Sequence, residues 1–452
     1  MVLGIVRGDG GRPRRAAHGR GGSRWRRAPD APLAVLLAGL AAAGCGGGDG
    51  EPGPTRLEIW AHAGQEAERT TLEAQARRFD DLHDSLSVEV VFIPEGSYGA
   101  QVRASAVAGR LPDLLDLDGP WLASFAWQGH LRPLDGLLHD SIVADLLPSI
   151  VRQGTWRGRL YGVGTFDSGL ALYGRRSALE AAGARLPSGP SDAWTVAEVD
   201  ALLAGLAGTD PDGAGLDLKL NYEGEWFAYA FQPALRSGGG ALLRWEGDRP
   251  VATGALDSRE SARVLATLQR WMIGGYVDPN LDDAAFVEGR VALSWSGHWD
   301  FPRYASALGE DLAVLPLPNF GEGTRTGQGS WVWAVPSGSA RAEAAAAFVS
   351  FVLRPDEVLT MTAANGAVPG TRAAAQGSER YGPGGALRLL LEQLEGEWAV
   401  PRPRTPAYPF VSSVFQDVFD AVRNGEDPVT VLGEAAAMID REIEDNQGYP
   451  FR

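Results

Sequence analysis

Two periodicities alternate along residues 57–128, and they restrict the chain to one broad class of fold. Leu57-Glu-Ile-Trp60 is a short apolar run of strand type, and residues 66–83 then place Leu72, Ala76 and Phe79 at helical spacing. Residues 87–93 alternate as a strand, 98–109 read as a helix ended by Gly109, 113–117 as a strand, and 120–128 as a helix closed by Gly129. Strands separated by helical connections of this length pair in parallel, and the helices must cover the faces of the sheet. The predicted class is therefore α/β, a mostly parallel sheet flanked by helices. Ligands bind such sheets beyond the carboxyl ends of the strands, so the loops at 60–65, 94–98 and 118–121 point at one crevice.

The stretch 160–174 sets the organisation of the remainder. Apolar runs at 160–163 and 170–173 bracket two glycines, Phe166 and Asp167. A carboxylate between two buried strands either tips an ordinary hairpin or marks a passage from one core to another. The 452 residues give room for two cores. Helices are predicted at 176–183, 194–205 (with Thr195 as N-cap), 224–234, 258–274, 341–353, 356–364, 412–423 and 428–444. Residues 286–295 read as a helix end followed by a strand, further strands fall at 311–315 and 331–335, and turns at 210–215 and 366–371.

The amino terminus carries an address. Arg24, Arg26 and Arg27 precede an apolar run over 31–43, and Ala42-Ala43-Gly44 lead into Cys45, the single cysteine. A basic segment, a short apolar segment and small residues make a secretory leader. The 13 apolar residues are too few for a permanent membrane span, which needs about 20. Small residues directly before a cysteine resemble the bacterial lipoprotein box, in which the cysteine is lipidated and becomes the mature N-terminus. A plain secretory leader with an incidental cysteine is the other reading. With residues 1–44 removed, 33 basic and 55 acidic residues remain. That balance argues against nucleic acid and against direct binding to anionic lipid. Residues 45–54 are rich in Gly and Pro and read as a flexible tether, so the membrane is met through the lipid anchor alone.

Several chemistries are missing from the sequence. The only lysine is Lys219, so no P-loop is possible; no Gly-x-Ser-x-Gly or His-Glu-x-x-His occurs, and one cysteine cannot build a thiolate metal site. Asp210-Pro-Asp-Gly resembles a calcium loop only loosely, lacking the later ligands, and reads as an acidic turn. No cofactor and no metal is expected. Tryptophan, by contrast, is abundant, with 14 residues, several beside glycine near strand ends: Trp121, Trp299 and Trp331. Each is either core packing or a face for the apolar side of a pyranose ring, whose hydroxyls would then meet carboxylates or arginines.

Taken in order, further segments carry a resemblance. They are 57–60 with Gly64, Tyr98, Ala108-Gly-Arg-Leu-Pro-Asp113, Gly129-His-Leu-Arg-Pro-Leu-Asp135, 160–163 with Leu172-Tyr173, Phe286-Val-Glu-Gly-Arg-Val-Ala292, Gly297-His-Trp299, Trp333-Ala-Val-Pro-Ser-Gly-Ser339, 340–353 and 401–408. Together they resemble the extracellular solute-binding proteins of family 1, the maltose-binding-protein-like receptors of ABC sugar importers, over nearly the whole chain after Cys45. The resemblance implies a two-lobed, type II periplasmic-binding-protein-like fold with a hinge-closing cleft. Lobe one would be 55–165 with 326–367, lobe two 168–325 with 370–452, and the crossings 164–169, 323–329 and 366–370. It implies a carbohydrate ligand (mono- or oligosaccharide or polyol), docking on permease subunits, a monomer, and no catalysis. Carried over by position, Asp167 is a sugar-binding carboxylate, Trp299 a stacking ring and Asp118 a polar contact, while Trp331 and Tyr408 line the cleft. Trp60, Gln65, Tyr98, Trp121, Trp226 and Arg404, with Glu225 and Arg372, follow by position. The chain departs from its relatives at Gly164, where proline is common. The competing expectations are a secreted glycosidase or lyase, and a receptor for a non-sugar such as glycerol-phosphate, for which only Arg372 and Arg404 offer positive charge.

Overall fold

The computed structural model describes residues 54–207 and 214–450; the leader, Cys45, most of the tether and the acidic turn after Thr209 lie outside the described residues. Two larger sheets form among the described residues, beside four two-stranded pairings. The first has the order Leu86–Ile93, Thr55–His62, Leu114–Asp118, Trp331–Ala334, Gly162–Val163, and the second Leu312–Leu315, Leu170–Arg175, Leu293–Gly297, Leu216–Asp217. The runs on either side of Asp167 thus enter different sheets. The hairpin reading of this stretch is overturned, and residues 164–169 run from one sheet to the other.

Each sheet is mixed, where the alternation of elements predicts mostly parallel ones. Thr55–His62 is parallel to both Leu86–Ile93 and Leu114–Asp118, but Trp331–Ala334 is antiparallel to Leu114–Asp118. In the second sheet Leu293–Gly297 is parallel to Leu216–Asp217, while Leu170–Arg175 is antiparallel to both Leu293–Gly297 and Leu312–Leu315. The reason is geometric. Strands with a local helical connection end at the crevice, whereas Leu170–Arg175 and Trp331–Ala334 each begin there, fresh from a passage, and must run the other way. The carboxyl ends of the remaining strands still face the crevice.

Both faces of the first sheet are covered, so alternate side chains of its strands enter different clusters. Leu57, Ile59 and Ala61 join one apolar cluster, which helix Glu66–Leu82 enters through Leu72, Ala76 and Phe79. On the other face, Leu115, Leu117, Val332 and Ala334 pack with Tyr98 and Val102 of helix Glu95–Val107. The second sheet is covered by helices Glu225–Ser237, Arg259–Ile273, Tyr408–Arg423 and Pro428–Asp445, joined in one cluster around Phe231, Trp271, Trp295 and Phe419. Helix Val196–Ala207 starts on a capping box: Thr195 Oγ1 accepts from the Glu198 amide at 3.3 Å, and Glu198 Oε2 accepts from the Thr195 amide at 2.8 Å.

The three passages lie side by side. Val368 pairs with Asp167 and Pro369 with Phe166, and the Gly370 amide donates to the Thr165 carbonyl at 2.9 Å. Thr326 Oγ1 bonds both the amide and the carbonyl of Leu170, at 2.8 and 2.9 Å. Helix Pro355–Asn365 stops at Gly366, in the left-handed region at φ 73°, where a Cβ would come within 2.6 Å of the His298 carbonyl oxygen.

Candidate functional site

Asp167 sits where these segments meet, and one of its oxygens ties their backbones together. It is fully buried, and its Oδ1 accepts from the amides of Ser168 at 2.8 Å and Gly329 at 3.0 Å, tying the first passage to the second. Burial raises its pKa, while Ser149 and these amides pull it down. His298 makes a parallel tie. Its Nδ1 meets the Asn365 carbonyl at 3.0 Å and its Nε2 the Ser168 hydroxyl at 2.9 Å. Burial lowers its pKa to about 4, so the ring is neutral. A neutral ring holding both bonds has its proton on Nδ1, given to the carbonyl, and Nε2 accepting from Ser168. Asp167 thus spends one carboxylate oxygen on backbone, while its Oδ2 is buried without a hydrogen-bond partner among the described residues.

Those neighbours form two aromatic walls and a charged bridge. On the side of the first sheet, Trp331 stacks on His62 at 3.9 Å, 5° from parallel, and meets the edge of Tyr98 at 5.2 Å. The Tyr98 hydroxyl donates to the Asp116 carbonyl at 2.5 Å, which seats the ring at the strand ends. His62 Nδ1 lies 2.5 Å from Asp116 Oδ2. Burial alone would lower the His62 pKa, but Asp116, with a contribution from Glu68, outweighs it and pushes the value up to about 9. On the side of the second sheet, Trp299 packs edge-on against Trp226 at 6.0 Å and lies 6.2 Å from Tyr229. Trp299 Nε1 donates to the Tyr222 hydroxyl at 3.4 Å, which donates to Asp300 Oδ2 at 3.4 Å. Lys219, fully buried, lies behind with its Nζ 2.9 Å from Asp217, 2.6 Å from Asp283 and 3.6 Å from Asp300. Gly297 is required here, since a Cβ would come within 2.1 Å of the Trp299 ring.

Arg402 spans the gap. Its Nη2 lies 3.3 Å from Asp118 on the first sheet, and its Nη1 2.9 Å from Glu225, the first residue of helix Glu225–Ser237. Its guanidinium also covers the Tyr229 ring at 4.9 Å. Glu225 accepts in addition from the Tyr408 hydroxyl and from Ser412 Oγ. Burial pushes the Asp118 carboxyl up to about 7, against Arg402, which pulls it down. Trp121 lies beside this bridge, under the Arg103 guanidinium at 4.6 Å, and packs against the clusters of both sheets. The two halves touch in this conformation. Its Nε1 is buried without a hydrogen-bond partner among the described residues.

Set against the expectations from sequence, Trp299, Asp118, Trp331, Tyr98, Trp121 and Tyr408 are brought together at the crevice. Tyr408 is fully buried and acts through Glu225. Trp226 is core, its Nε1 donating to the Leu218 carbonyl at 3.3 Å. Trp60 is half-buried with its Nε1 on Glu58 at 2.7 Å, and Gln65 is an exposed helix cap. Arg404 is exposed and donates to the Arg152 carbonyl at 2.8 Å, outside the bridge. Sequence reasoning missed Arg402, Tyr222 and His62. Arg402 stood two residues from Arg404 in the same segment, and nothing in the sequence favours one over the other. Among the described residues no cluster of His, Cys, Asp or Glu is placed to hold a metal ion.

A fold of two α/β halves, with aromatic walls facing across a charged gap, is that of the two-lobed binding proteins of type II. The chain belongs to the bacterial extracellular solute-binding protein family, whose profile matches residues 63–358. It is 27% identical over 356 residues to an uncharacterized lipoprotein of Streptomyces antibioticus, covering 75% of this chain and 76% of that one. It is 24% identical over 342 residues to a mannitol-binding protein of Pseudomonas aeruginosa, covering 72% and 76%. Among solved structures, the GacH receptor of Streptomyces glaucescens, studied unliganded and with acarbose, superposes with a TM-score of 0.75 at 22% identity, covering 87% of this chain and 99% of that one.

Proposed function

We propose that this chain is the receptor of an ABC importer, binding a carbohydrate between Trp299 and the Trp331 wall and delivering it to the permease by closure about the three passages. The lobes in this reading are 55–165 with 326–367, and 168–325 with 370–452. A lipid on Cys45 and the tether hold a monomeric body outside the cytoplasmic membrane; among the described residues no helix is long and apolar enough to cross it. Residues do no chemistry on the ligand here. The observation that carries the reading is Trp299, whose ring is fixed by Trp226, Tyr222 and Gly297 while the residue before it, His298, bonds two passages. Ring stacking contributes about 0.5–1.5 kcal/mol beyond burial, and the Asp118–Arg402–Glu225 bridge supplies charged partners for hydroxyls. Two of the named relatives are a mannitol-binding protein and a receptor solved with acarbose, a polyol and a sugar analogue.

The test is a thermal-shift screen against a library of sugars and polyols, followed by calorimetry on the hits. Trp299→Ala is expected to weaken binding about tenfold or more, which is about 1.4 kcal/mol, with the melting curve of the unliganded protein preserved. Unchanged affinity in that variant refutes the site. New reducing ends on incubation with glycans would establish an enzyme in its place.

A further inference from the structure

Beside the Arg402 bridge lies an open groove of about 790 Å3, within the size range of ligand sites. One wall is the hairpin Thr155–Trp156 with Arg159–Leu160, whose Trp156 packs on a cluster of the first sheet. The other is the end of helix Glu225–Ser237 and the residues that follow it, whose Leu242 and Leu243 belong to the core of the second sheet. The groove therefore spans the two halves.

Its charge is opposite to that of the molecule. The chain carries 57 acids against 41 bases, yet the groove is lined by Arg157, Arg236, Arg325 and Arg404, together with Trp156 and Trp245, and by one acid, Glu397. Arg402, at its inner end, is neutralised by Asp118 and Glu225. Among the described residues none of Arg236, Arg325 and Arg404 has a carboxylate partner. Arg325 and Arg404 each give one Nη1 to a backbone carbonyl, at 2.8 Å, and keep the rest of the fork. Trp245 leaves 49% of its surface exposed. Unpaired guanidinium forks recognise carboxylate, sulfate and phosphate by paired hydrogen bonds, and a tryptophan face takes the apolar side of a sugar ring.

We propose that this groove binds the acidic end of an anionic glycan, a sugar bearing a carboxylate, sulfate or phosphate. The inference rests on the carbohydrate reading above and names the substrate class. The acid group meets Arg236, Arg325 and Arg404, a ring lies on Trp245 or Trp156, and the neutral part extends past Arg402 toward Trp299.

Calorimetry with matched ligands tests it: an oligogalacturonate and its methyl ester, a sulfated and a phosphorylated hexose with their parent sugar, and inorganic phosphate and sulfate alone. The expected result is that at least one sugar acid binds about tenfold or more tighter than its neutral partner, with the advantage lost at high salt. The ester and parent-sugar arms identify which anion is preferred. Arg236→Gln combined with Arg325→Gln should abolish the preference while neutral ligands bind as before. Equal affinity of acid and neutral forms overturns the inference but leaves the carbohydrate reading intact, as does a preference that survives the double substitution. Inorganic anions binding as tightly as the sugar acids would remove the glycan from the proposal. Failure of every glycan, neutral or acidic, would sink both readings.

Discussion

His62 carries a positive charge under the Trp331 ring because Asp116, at 2.5 Å, outweighs the cost of burial. Its pKa of about 9 stands above the ordinary 6.5, so the folded state holds a proton that the unfolded chain gives up earlier. The resulting stabilisation is complete below pH ~6.5 and is lost as pH rises through ~9. Denaturant unfolding at a series of pH values across that window should show stability falling by about 3 kcal/mol, and His62→Gln should flatten the fall. A variant with the wild-type slope would show that the proton resides elsewhere. Asp167 makes the second residue-scale prediction. Asp167→Ala removes an acceptor shared by two passages, and should cost about 2–3 kcal/mol in unfolding free energy. A sequence can place a carboxylate at a crossing, but whether it faces ligand or backbone depends on the Gly329 amide, 162 residues away.

At the scale of elements, the passages work through close backbone approach. Gly366→Ala sets a Cβ at a left-handed φ and against the His298 carbonyl. It should destabilise by about 1–3 kcal/mol and weaken ligand binding together, since the loop it displaces is bonded to the residue before Trp299. Calorimetry and thermal unfolding on the same variant check this, and an unperturbed affinity would separate the passages from the site. Much of this architecture was legible beforehand. Period gave the helices around Leu72 and Phe79, and residue type gave the N-cap at Thr195, because those signals are local. The helix expected from Tyr98 begins at Glu95, directly after Pro94, where proline ends the preceding extended segment. Helices Asp140–Asp145, Pro148–Gly154 and Arg388–Glu395 escaped notice, being too short to establish a period. The antiparallel strands escaped for a different reason. Strand direction depends on which end of the sheet the chain re-enters, and period carries no such information. Gly164 shows the same limit: a Cβ there would lie 2.9 Å from the Phe166 carbonyl, a clash visible only in three dimensions.

For the molecule as a whole, Arg402 is, among the described residues, the one cation that joins Asp118 of the first half to Glu225 of the second within the crevice. Arg402→Met leaves two carboxylates facing each other across it, and like charges that close repel. Small-angle scattering should report a larger radius of gyration for the unliganded variant, and ligand affinity should drop about tenfold. A scattering curve identical to wild type would mean that the remaining contacts, Trp121 and the Arg404–Arg152 bond among them, keep the halves together. The ties at Asp167 and His298 have a mechanical consequence. Three strands bonded to one another cannot bend independently, so they serve as a single fulcrum and leave the halves one axis of rotation. Trp299 is the residue next to that fulcrum. A ligand pressing on its ring acts on a very short lever arm, so a sub-ångström push at the ring becomes a sweep of many ångströms at the far rims. The size of the ligand would then be read as an angle, and a ligand too large or too small would leave the rims out of alignment.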